Sequence, residues 1–316
     1  MMDVRALSDD ELGLIQPLFR AVFGSEINLP MLHWKYGQGR GSAWTLWQGS
    51  QLLVHCGLCP RQVWLQGERI QATQLVDLMA APKQTGLVRH GSPFAVLMRH
   101  VLAQLPGPGN PDGVAFGFPS ARAMRLGELA GVYRAVDDWH ALTLLGRDVP
   151  RGPRALEVAS WGHREGAVVD SLWARMRADL QDFVVGVRDM AYLRQRYLRH
   201  PDKAYRLLLV RSQWFRVPIG LLVLGPNRHQ PELLDVLCAW ADLPEVLLAG
   251  RRWLHDAGAK QMQLFVTSPF ATRLAPQADQ CDATEFRIMA NPFSPAASLS
   301  KLQQRWWLTG GDTDYR

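Results

Sequence analysis

Three short segments in the first half of the chain recur, in the same order, in the second half. The paired segments match in residue type and in their helix or strand context, at offsets of 161, 158 and 148 residues. They are LHWKY 32–36 with LRQRY 193–197, LVDL 75–78 with LLDV 233–236, and AMRL 123–126 with ATRL 271–274. Such self-similarity predicts a tandem duplication of one α/β unit, which restricts the fold to an architecture that is built twice.

Length and composition agree with two globular domains. The 316 residues are 47% hydrophobic and 20% charged, which excludes disordered, fibrous and collagen-like chains. The segment 148–153 (DVPRGP) has the composition of a linker. We therefore expect an N-terminal domain at residues 1–147 and a C-terminal domain, with a docking tail, at residues 148–316.

Charge and cysteine usage exclude several classes of partner. The net charge of +6 is spread without a basic run, so DNA or RNA binding is not expected as the main function. No stretch approaches the ~18–20 consecutive apolar residues of a membrane span, and the start of the chain lacks a signal-peptide pattern. The cysteine content does not amount to a disulfide framework, so we expect a cytoplasmic protein.

The most informative stretch is 74–102, where a strand pattern runs through a loop with Pro82, Gly86 and Gly91 into an amphipathic helix. Backbone N–H groups at such a helix start bind anions, and glycines allow close approach, so the stretch predicts a phosphate-bearing ligand. It is neither a P-loop nor a dinucleotide-binding fingerprint, because the glycine pattern of both motifs is missing. An ordinary strand-to-helix connection explains the same residues.

Two motifs and the order of predicted elements resemble the GNAT superfamily of acyl-CoA-dependent N-acyltransferases. The elements are a helix, a short helix, three strands, a strand–loop–helix, a strand and a helix. Residues 80–86 and 89–92 (AAPKQTG and RHGS) are similar to the family's V-x-P-x-x-R-G-x-G-x-G/A loop, with residues inserted. Residues 120–126 (SARAMRL), followed by Gly131, are similar to its N-x-x-A-x-x-L-Y-x-x-x-G helix. The resemblance implies an α/β (α+β) fold of two tandem domains, each a mixed, mostly antiparallel sheet flanked by helices.

The resemblance also implies a site for acetyl-CoA or another acyl-CoA, with no metal. The pantetheine would contact the backbone of Leu78, Met79 and Ala80. The pyrophosphate would lie in the following loop, and the start of the last helix would complete the site. The loop residues are Gln84, Thr85, Gly86, Arg89, His90, Gly91 and Ser92, and the helix residue is Ser120.

The sequence departs from the family pattern at two positions. Ser120 stands where the family commonly has Asn, and Gly127 stands where it commonly has the tyrosine that acts as general acid. Tyr133, six residues later, could take that role only if the chain turned back. In the second half, residues 235–244 reach their helix without a glycine, so we expect a degenerate copy without a phosphate site.

The implied reaction is direct attack of an amine on a thioester, which needs a base for the amine proton and donors for the oxyanion. Asp77, on the predicted fourth strand, is the candidate base, and the strand N–H near Met79 is the expected oxyanion donor. The alternative is that Asp77 and its counterpart Asp235 each fix a structural hydrogen bond, which the repetition favours. His55 could also be a base, although a lone histidine is more often structural.

Two further features receive a weaker interpretation. Cys56 and Cys59 form a C-x-x-C pair, for which a structural role is favoured because no second pair follows. The C-terminal stretch 305–316 (RWWLTGGDTDYR) is too distinctive for a disordered tail, so we expect it to dock across the domains or into a cleft.

We therefore expect an N-acyltransferase that moves an acyl group, most simply acetyl, from acyl-CoA to a primary amine of a small molecule or peptide. The N-terminal domain would carry the reaction, and the C-terminal copy would shape the acceptor cleft. Two alternatives stay open: a non-catalytic acyl-CoA-binding or scaffold module, and an aminoacyl-tRNA-dependent transferase like the Fem peptidoglycan enzymes. The sequence leaves the acceptor, the acyl chain length and the oligomeric state open.

Overall fold

The computed structural model describes residues 2–82, 91–106, 113–227, 229–293 and 299–314, which form two compact units. Unit 1 comprises Met1–Gln62, Ile70–Asp137 and Glu285–Gln303, and unit 2 comprises Val63–Arg69, Asp138–Thr284 and Gln304–Arg316. The chain therefore leaves unit 1 at Asp137 and returns to it late. The division at residue 147 into two sequential domains stays a prediction.

The structure follows the predicted order of elements in the first half, with two of the predicted strands merged, and adds a strand at either end of it. The first half contains β1 (Met2–Ala6), α1 (Gln16–Phe23), α2 (Leu29–Tyr36), β2 (Ser42–Gln48), β3 (Gln51–Leu65), β4 (Glu68–Ala80), α3 (Pro93–Ala103), β5 (Ala115–Gly117), α4 (Ala121–Leu129) and β6 (Arg134–Leu145). The second half contains β7 (Arg154–Glu157), α5 (His163–Asp179), β8 (Val184–Gly186), α6 (Met190–Leu193), β9 (Arg206–Arg211), β10 (Pro218–Leu224), β11 (Glu232–Cys238), α7 (Leu243–Asp256), β12 (Gln261–Thr267), α8 (Ser268–Leu274), β13 (Gln280–Ala290), α9 (Leu299–Leu302) and β14 (Trp306–Trp307).

Two of the three strands predicted before β4 are one continuous strand, β3. Pro60 lies within it and is exposed, so its missing N–H leaves no buried group without a partner. The turn between β3 and β4 has Gln66 at φ +53° and Gly67 at φ +85°. Two successive positive φ angles are typical of the tight turn that joins hairpin strands.

The sheet of unit 1 has the strand order β1-β2-β3-β4-β5-β13. The pairs β1–β2, β2–β3 and β5–β13 are antiparallel, and β4–β5 is parallel. Side chains of α3 share one core cluster with Leu75, and side chains of α2 share another with Val76, so adjacent residues of β4 bury opposite faces. This mixed, mostly antiparallel sheet between helices confirms the predicted fold class.

The sheet of unit 2 has the order β6-β12-β11-β10-β9-β7, and again a single pair, β11–β12, is parallel among the ladders described for it. A short set of β14, β8 and the end of β3 lies in the same unit. Buried side chains of α5 and α7 join this sheet in one large core. Among the described ladders, the main sheet of each unit therefore holds one parallel pair, and β8 and β14 form a further parallel pair in unit 2.

Within the described ranges, no helix is long and apolar enough to cross a bilayer. Cys56, Cys59, Cys238 and Cys281 are all free thiols.

Candidate functional site

β4 and β5 run side by side for three residue pairs and then part. Their parallel ladder ends where Leu75 lies opposite Gly117. β5 ends there, whereas β4 continues to Ala80. We call the space beyond this ladder the unit 1 gap. The predicted pantetheine residues Leu78, Met79 and Ala80 therefore lie on the part of β4 that faces the gap, with backbone groups that the described β4–β5 ladder does not use.

Asp77 bends β4 at the mouth of this gap. Its φ is +45°, in the left-handed region that costs a non-glycine residue roughly 1 kcal/mol. Its buried carboxylate is held on both oxygens: Lys35 Nζ lies 2.7 Å from Oδ1, and the Tyr36 hydroxyl donates to Oδ2 at 2.5 Å. These two residues of α2 therefore hold the bend in place.

The electrostatics of Asp77 suit a fixed counter-ion. Burial alone would raise the pKa of this carboxyl, but the Lys35 ammonium and the Tyr36 hydroxyl outweigh burial and hold the pKa below its ordinary value. A base must accept a proton, and both oxygens of Asp77 are already engaged in a buried ion pair. This geometry favours the structural alternative for Asp77 over the role of catalytic base.

His55 contacts the same bend from β3. Its Nδ1 lies 2.8 Å from the backbone oxygen of Asp77, and a carbonyl oxygen can only accept, so Nδ1 carries the proton. The remaining lone pair is on Nε2, which is buried and has no hydrogen-bond partner among the described residues. Burial lowers the pKa of His55, so the ring is neutral at pH 7.

The Tyr133 ring packs against Gly127, the position at which the family pattern has a tyrosine. The chain turns at Gly131, which has φ +71°, and the Tyr133 amide donates to the Gly127 carbonyl at 3.2 Å. A Cβ added to Gly127 would lie 2.0 Å from the Tyr133 ring. The ring therefore fills the space beside α4 that a side chain at position 127 would need. Burial, and next the charge of Cys56, raise the Tyr133 pKa well above its ordinary value.

The two serines of the predicted site cap the helices that follow the two gap strands. Ser92 Oγ accepts from the Ala95 amide at the start of α3, and Ser120 Oγ accepts from the Ala123 amide at the start of α4, both at 3.3 Å. Gly91 precedes α3, and a Cβ there would meet no atom of the described residues within 4 Å. Five predicted pyrophosphate residues lie outside the described residues: Gln84, Thr85, Gly86, Arg89 and His90.

The C-x-x-C pair lies on β3 and lacks the features of a redox or metal site. Burial, followed by the charge of Asp77, raises the pKa of the Cys56 thiol to about 12, which suppresses the reactive thiolate. Among the residues that the structure describes, no group of three or more side chains could hold a metal ion. A structural role for Cys56 and Cys59 is favoured.

Solved structures of acyltransferases match the fold of almost the whole chain at low sequence identity. A protein from Enterococcus faecalis V583, described as a probable N-acyltransferase, has a TM-score of 0.69 at 14% identity, covering 92% of this chain and 72% of that one. A tandem GNAT protein from the clavulanic acid biosynthesis pathway has a TM-score of 0.60 at 9% identity, covering 92% and 98%. Saccharomyces cerevisiae N-myristoyltransferase with bound myristoyl-CoA has a TM-score of 0.57 at 8% identity, covering 92% and 82%. No protein-family model and no curated protein sequence matches the chain.

The chain has the tandem GNAT fold. The repeated segments make the same contact in each copy of it: as Tyr36 donates to Asp77, the Tyr197 hydroxyl donates to Asp235 Oδ2 at 3.0 Å. Each aspartate stands two residues beyond the end of the parallel ladder of its unit. The aspartate–tyrosine pair is therefore a structural feature of both GNAT-fold units.

Sequence reasoning missed the cations that neutralise these aspartates. Lys35 pairs with Asp77, and Arg188 Nε lies 2.7 Å from Asp235 Oδ1. Lys35 had a signal, because it lies in one of the repeated segments. Arg188 had none: it follows β8, and the residue aligned with Lys35 is Arg196.

Proposed function

We propose that unit 1 binds an acyl-CoA in the gap between β4 and β5 and transfers its acyl group to a primary amine. The observation that carries this proposal is the parting of β4 from β5 at a bend fixed by Asp77, within a GNAT fold. A thioester lying along β4 would find backbone groups at Leu78 to Ala80 that the described β4–β5 ladder does not use. The N-myristoyltransferase of similar fold holds myristoyl-CoA, which supports an acyl thioester as the ligand class.

The reaction requires one bond to form and one to break. The neutral amine attacks the thioester carbonyl and forms the C–N bond, while an N–H near Met79 stabilises the oxyanion. The C–S bond then breaks, which releases the CoA thiolate and leaves the amide. Tyr133 would donate a proton to the leaving CoA thiolate, since its raised pKa keeps the phenol protonated at pH 7. The amine proton needs a base.

We assign to Asp77 the role of a positioning residue and to His55 the role of the base that accepts the amine proton. The carboxylate of Asp77 is engaged on both oxygens, whereas the neutral His55 ring has a lone pair on Nε2 with no partner in the described ranges. His55 also contacts the backbone of Asp77 directly. Asp77, Lys35 and Tyr36 would then hold the β4 bend against which the thioester carbonyl lies.

The first test is a calorimetric titration with acetyl-CoA and with a long-chain acyl-CoA. We expect one site per chain, weakened by Gly91→Leu, because this side chain would enter the predicted pyrophosphate position without meeting described residues. Gly225→Leu is the matched control in unit 2, where a Cβ would meet only ordinary contacts with Glu232. No binding of either thioester would contradict the proposal.

A non-catalytic acyl-CoA-binding module is the second candidate, because Gly127 leaves α4 without the tyrosine of the family pattern. It predicts the same titration and no release of free CoA with any primary amine. An aminoacyl-tRNA-dependent transferase predicts no acyl-CoA binding and a tRNA affinity that falls steeply with salt. The free thiols of the chain agree with a reducing cytoplasm, which we propose as its compartment.

A further inference from the structure

A segment close to the C-terminus is buried within unit 2. All eight residues from Trp306 to Thr313, which we call the tail segment, are buried. Burial of eight consecutive residues shows that unit 2 surrounds this segment on all sides. We call the part of unit 2 that contacts the segment its receptor.

The tail segment lies between the two parallel strands of unit 2. The β11–β12 ladder has two pairs and ends where Leu233 lies opposite Leu264. Beyond that point, Thr309 forms an antiparallel bridge to Val266 on β12, and its hydroxyl contacts Asp235 Oδ1 on β11 at 3.4 Å. The segment therefore occupies the space in unit 2 that corresponds to the unit 1 gap.

Two buried arginines hold the segment. Arg188 spans from β11 to the segment, with Nε 2.7 Å from Asp235 and Nη2 2.5 Å from Asp312. Arg196 donates from Nε to the Gly311 carbonyl at 3.0 Å and from Nη2 to the Thr313 carbonyl at 2.9 Å. Arg188 thus binds the Asp312 side chain, and Arg196 binds backbone carbonyl groups of the segment.

Space requires glycine at position 311, whereas a Cβ at position 310 would meet only the flexible Glu232 carboxylate at close range. A Cβ on Gly310 would lie 2.4 Å from Glu232 Oε1, and a Cβ on Gly311 would lie 2.0 Å from the Tyr197 hydroxyl and 2.9 Å from the Leu234 carbonyl. Neither glycine lies in the left-handed region of φ, so backbone conformation does not demand glycine at these positions. The receptor therefore selects for a glycine at position 311 followed by an acidic residue.

We propose that the β11–β12 gap is a self-contained peptide-binding site, specific for the sequence Trp-Trp-Leu-Thr-Gly-Gly-Asp-Thr, and that the tail segment is its resident ligand. The site recognises the peptide without needing the covalent link to the rest of the chain. Because the segment fills this gap, unit 2 is closed to acyl-CoA. This last consequence rests on the function proposed for unit 1, whereas the peptide site does not.

The test cuts the chain after it has folded. A protease recognition sequence is inserted between Gln303 and Gln304, which are both exposed. After cleavage of the folded protein, the fragment from Gln304 onward should co-elute in gel filtration with the rest of the chain, which we call the body. A labelled synthetic peptide of the same sequence should then exchange into the site at one per chain.

Variants placed in the peptide leave the folding of the body unaffected. In competition with the labelled peptide, Gly311→Val should weaken binding by about 100-fold, because the added side chain overlaps Tyr197 and β11. Asp312→Asn should weaken it by about 10-fold, since Arg188 loses a charged partner. Arg305→Ala is the matched control and should bind within about 3-fold of the natural sequence, because Arg305 is exposed.

Two results would overturn the proposal. One is separation of the fragment from a body that keeps its circular dichroism spectrum. The other is equal competition by the Gly311→Val, Arg305→Ala and natural peptides. Neither result involves acyl-CoA, so failure of the peptide site and failure of the proposed transferase function are seen in separate experiments.

Discussion

Replacing Lys35 with methionine should destabilise unit 1 by ~3–5 kcal/mol, because it leaves the Asp77 carboxylate buried without its cation. The two side chains are only 5% and 6% exposed, and their charged atoms are 2.7 Å apart. The pair of Arg5 and Glu11, at 37% and 31% exposure, is the matched control. Arg5→Met should leave the free energy of unfolding nearly unchanged, since exposed pairs contribute little.

A double-mutant cycle separates the ion pair from its parts. Asp77→Asn keeps a residue that tolerates a positive φ and keeps an acceptor for Tyr36, but it leaves the Lys35 ammonium buried. Each single variant should therefore lose stability, and the double variant should lose ~2–3 kcal/mol less than the sum of the two single losses, which is the coupling energy of the pair. The assay is urea unfolding at pH 7 followed by tryptophan fluorescence.

Acid titration of the same variants gives a second readout. In the natural protein the pKa of Asp77 is lowered, so its stabilising contribution is present above the unfolded pKa and is lost as pH falls through the folded pKa. In Lys35→Met, burial acts without the cation and raises that pKa, so this variant should regain stability as pH falls. Single variants that each lose less than ~1 kcal/mol, or that add without coupling, would refute the ion pair as the anchor of the bend.

Three other substitutions test the remaining parts of the site. His55→Gln should flatten the dependence of unfolding free energy on pH below pH 6.5. There the natural protein loses up to ~1.4 kcal/mol per pH unit, because the buried ring is forced to take a proton. Equal pH dependence of the two proteins in urea unfolding would contradict a buried neutral histidine. Gly127→Ala should lose ~1–3 kcal/mol of unfolding free energy by overlap with the Tyr133 ring, which exceeds the ~1 kcal/mol gain in helix propensity. The control Gly91→Ala should lose no stability. A Gly127→Ala variant that is more stable in thermal unfolding would show that the ring does not occupy that space. Tyr133→Phe should lower kcat by about 100-fold with little change in KM for acyl-CoA, measured as release of CoA thiol with a panel of primary amines; an unchanged kcat would remove Tyr133 from the reaction.

The repeated segments predicted more of the fold than any motif did. Their alignment pairs Tyr36 with Tyr197 and Asp77 with Asp235, and the structure shows the same hydroxyl–carboxylate contact in both units. This was predictable because duplicated strands and helices keep their register, and residue type alone then indicates which side chains meet. The parallel ladder in each unit follows from the same order of elements.

Long-range placement was out of reach of local patterns. The composition of the tail segment indicated docking, but no periodicity shows that Arg188 and Arg196, more than 100 residues earlier, would hold it. The packing of Tyr133 against Gly127 depends on a turn at Gly131, and from the sequence alone we could state only that Tyr133 needs such a turn. Asp77 has the residue type of a catalytic base, and its role as a fixed counter-ion follows only from its buried contacts with Lys35 and Tyr36.

The most direct test of the central claim is the number of acyl-CoA molecules bound per chain. Equilibrium dialysis with a labelled long-chain acyl-CoA should give one per chain in the natural protein and in the Arg5→Met control. The Lys35→Met variant, which loses the anchor of the β4 bend, should bind more weakly at the same stoichiometry. Zero molecules per chain would contradict an acyl-CoA site in unit 1, and two would contradict the closure of unit 2 by its own tail segment.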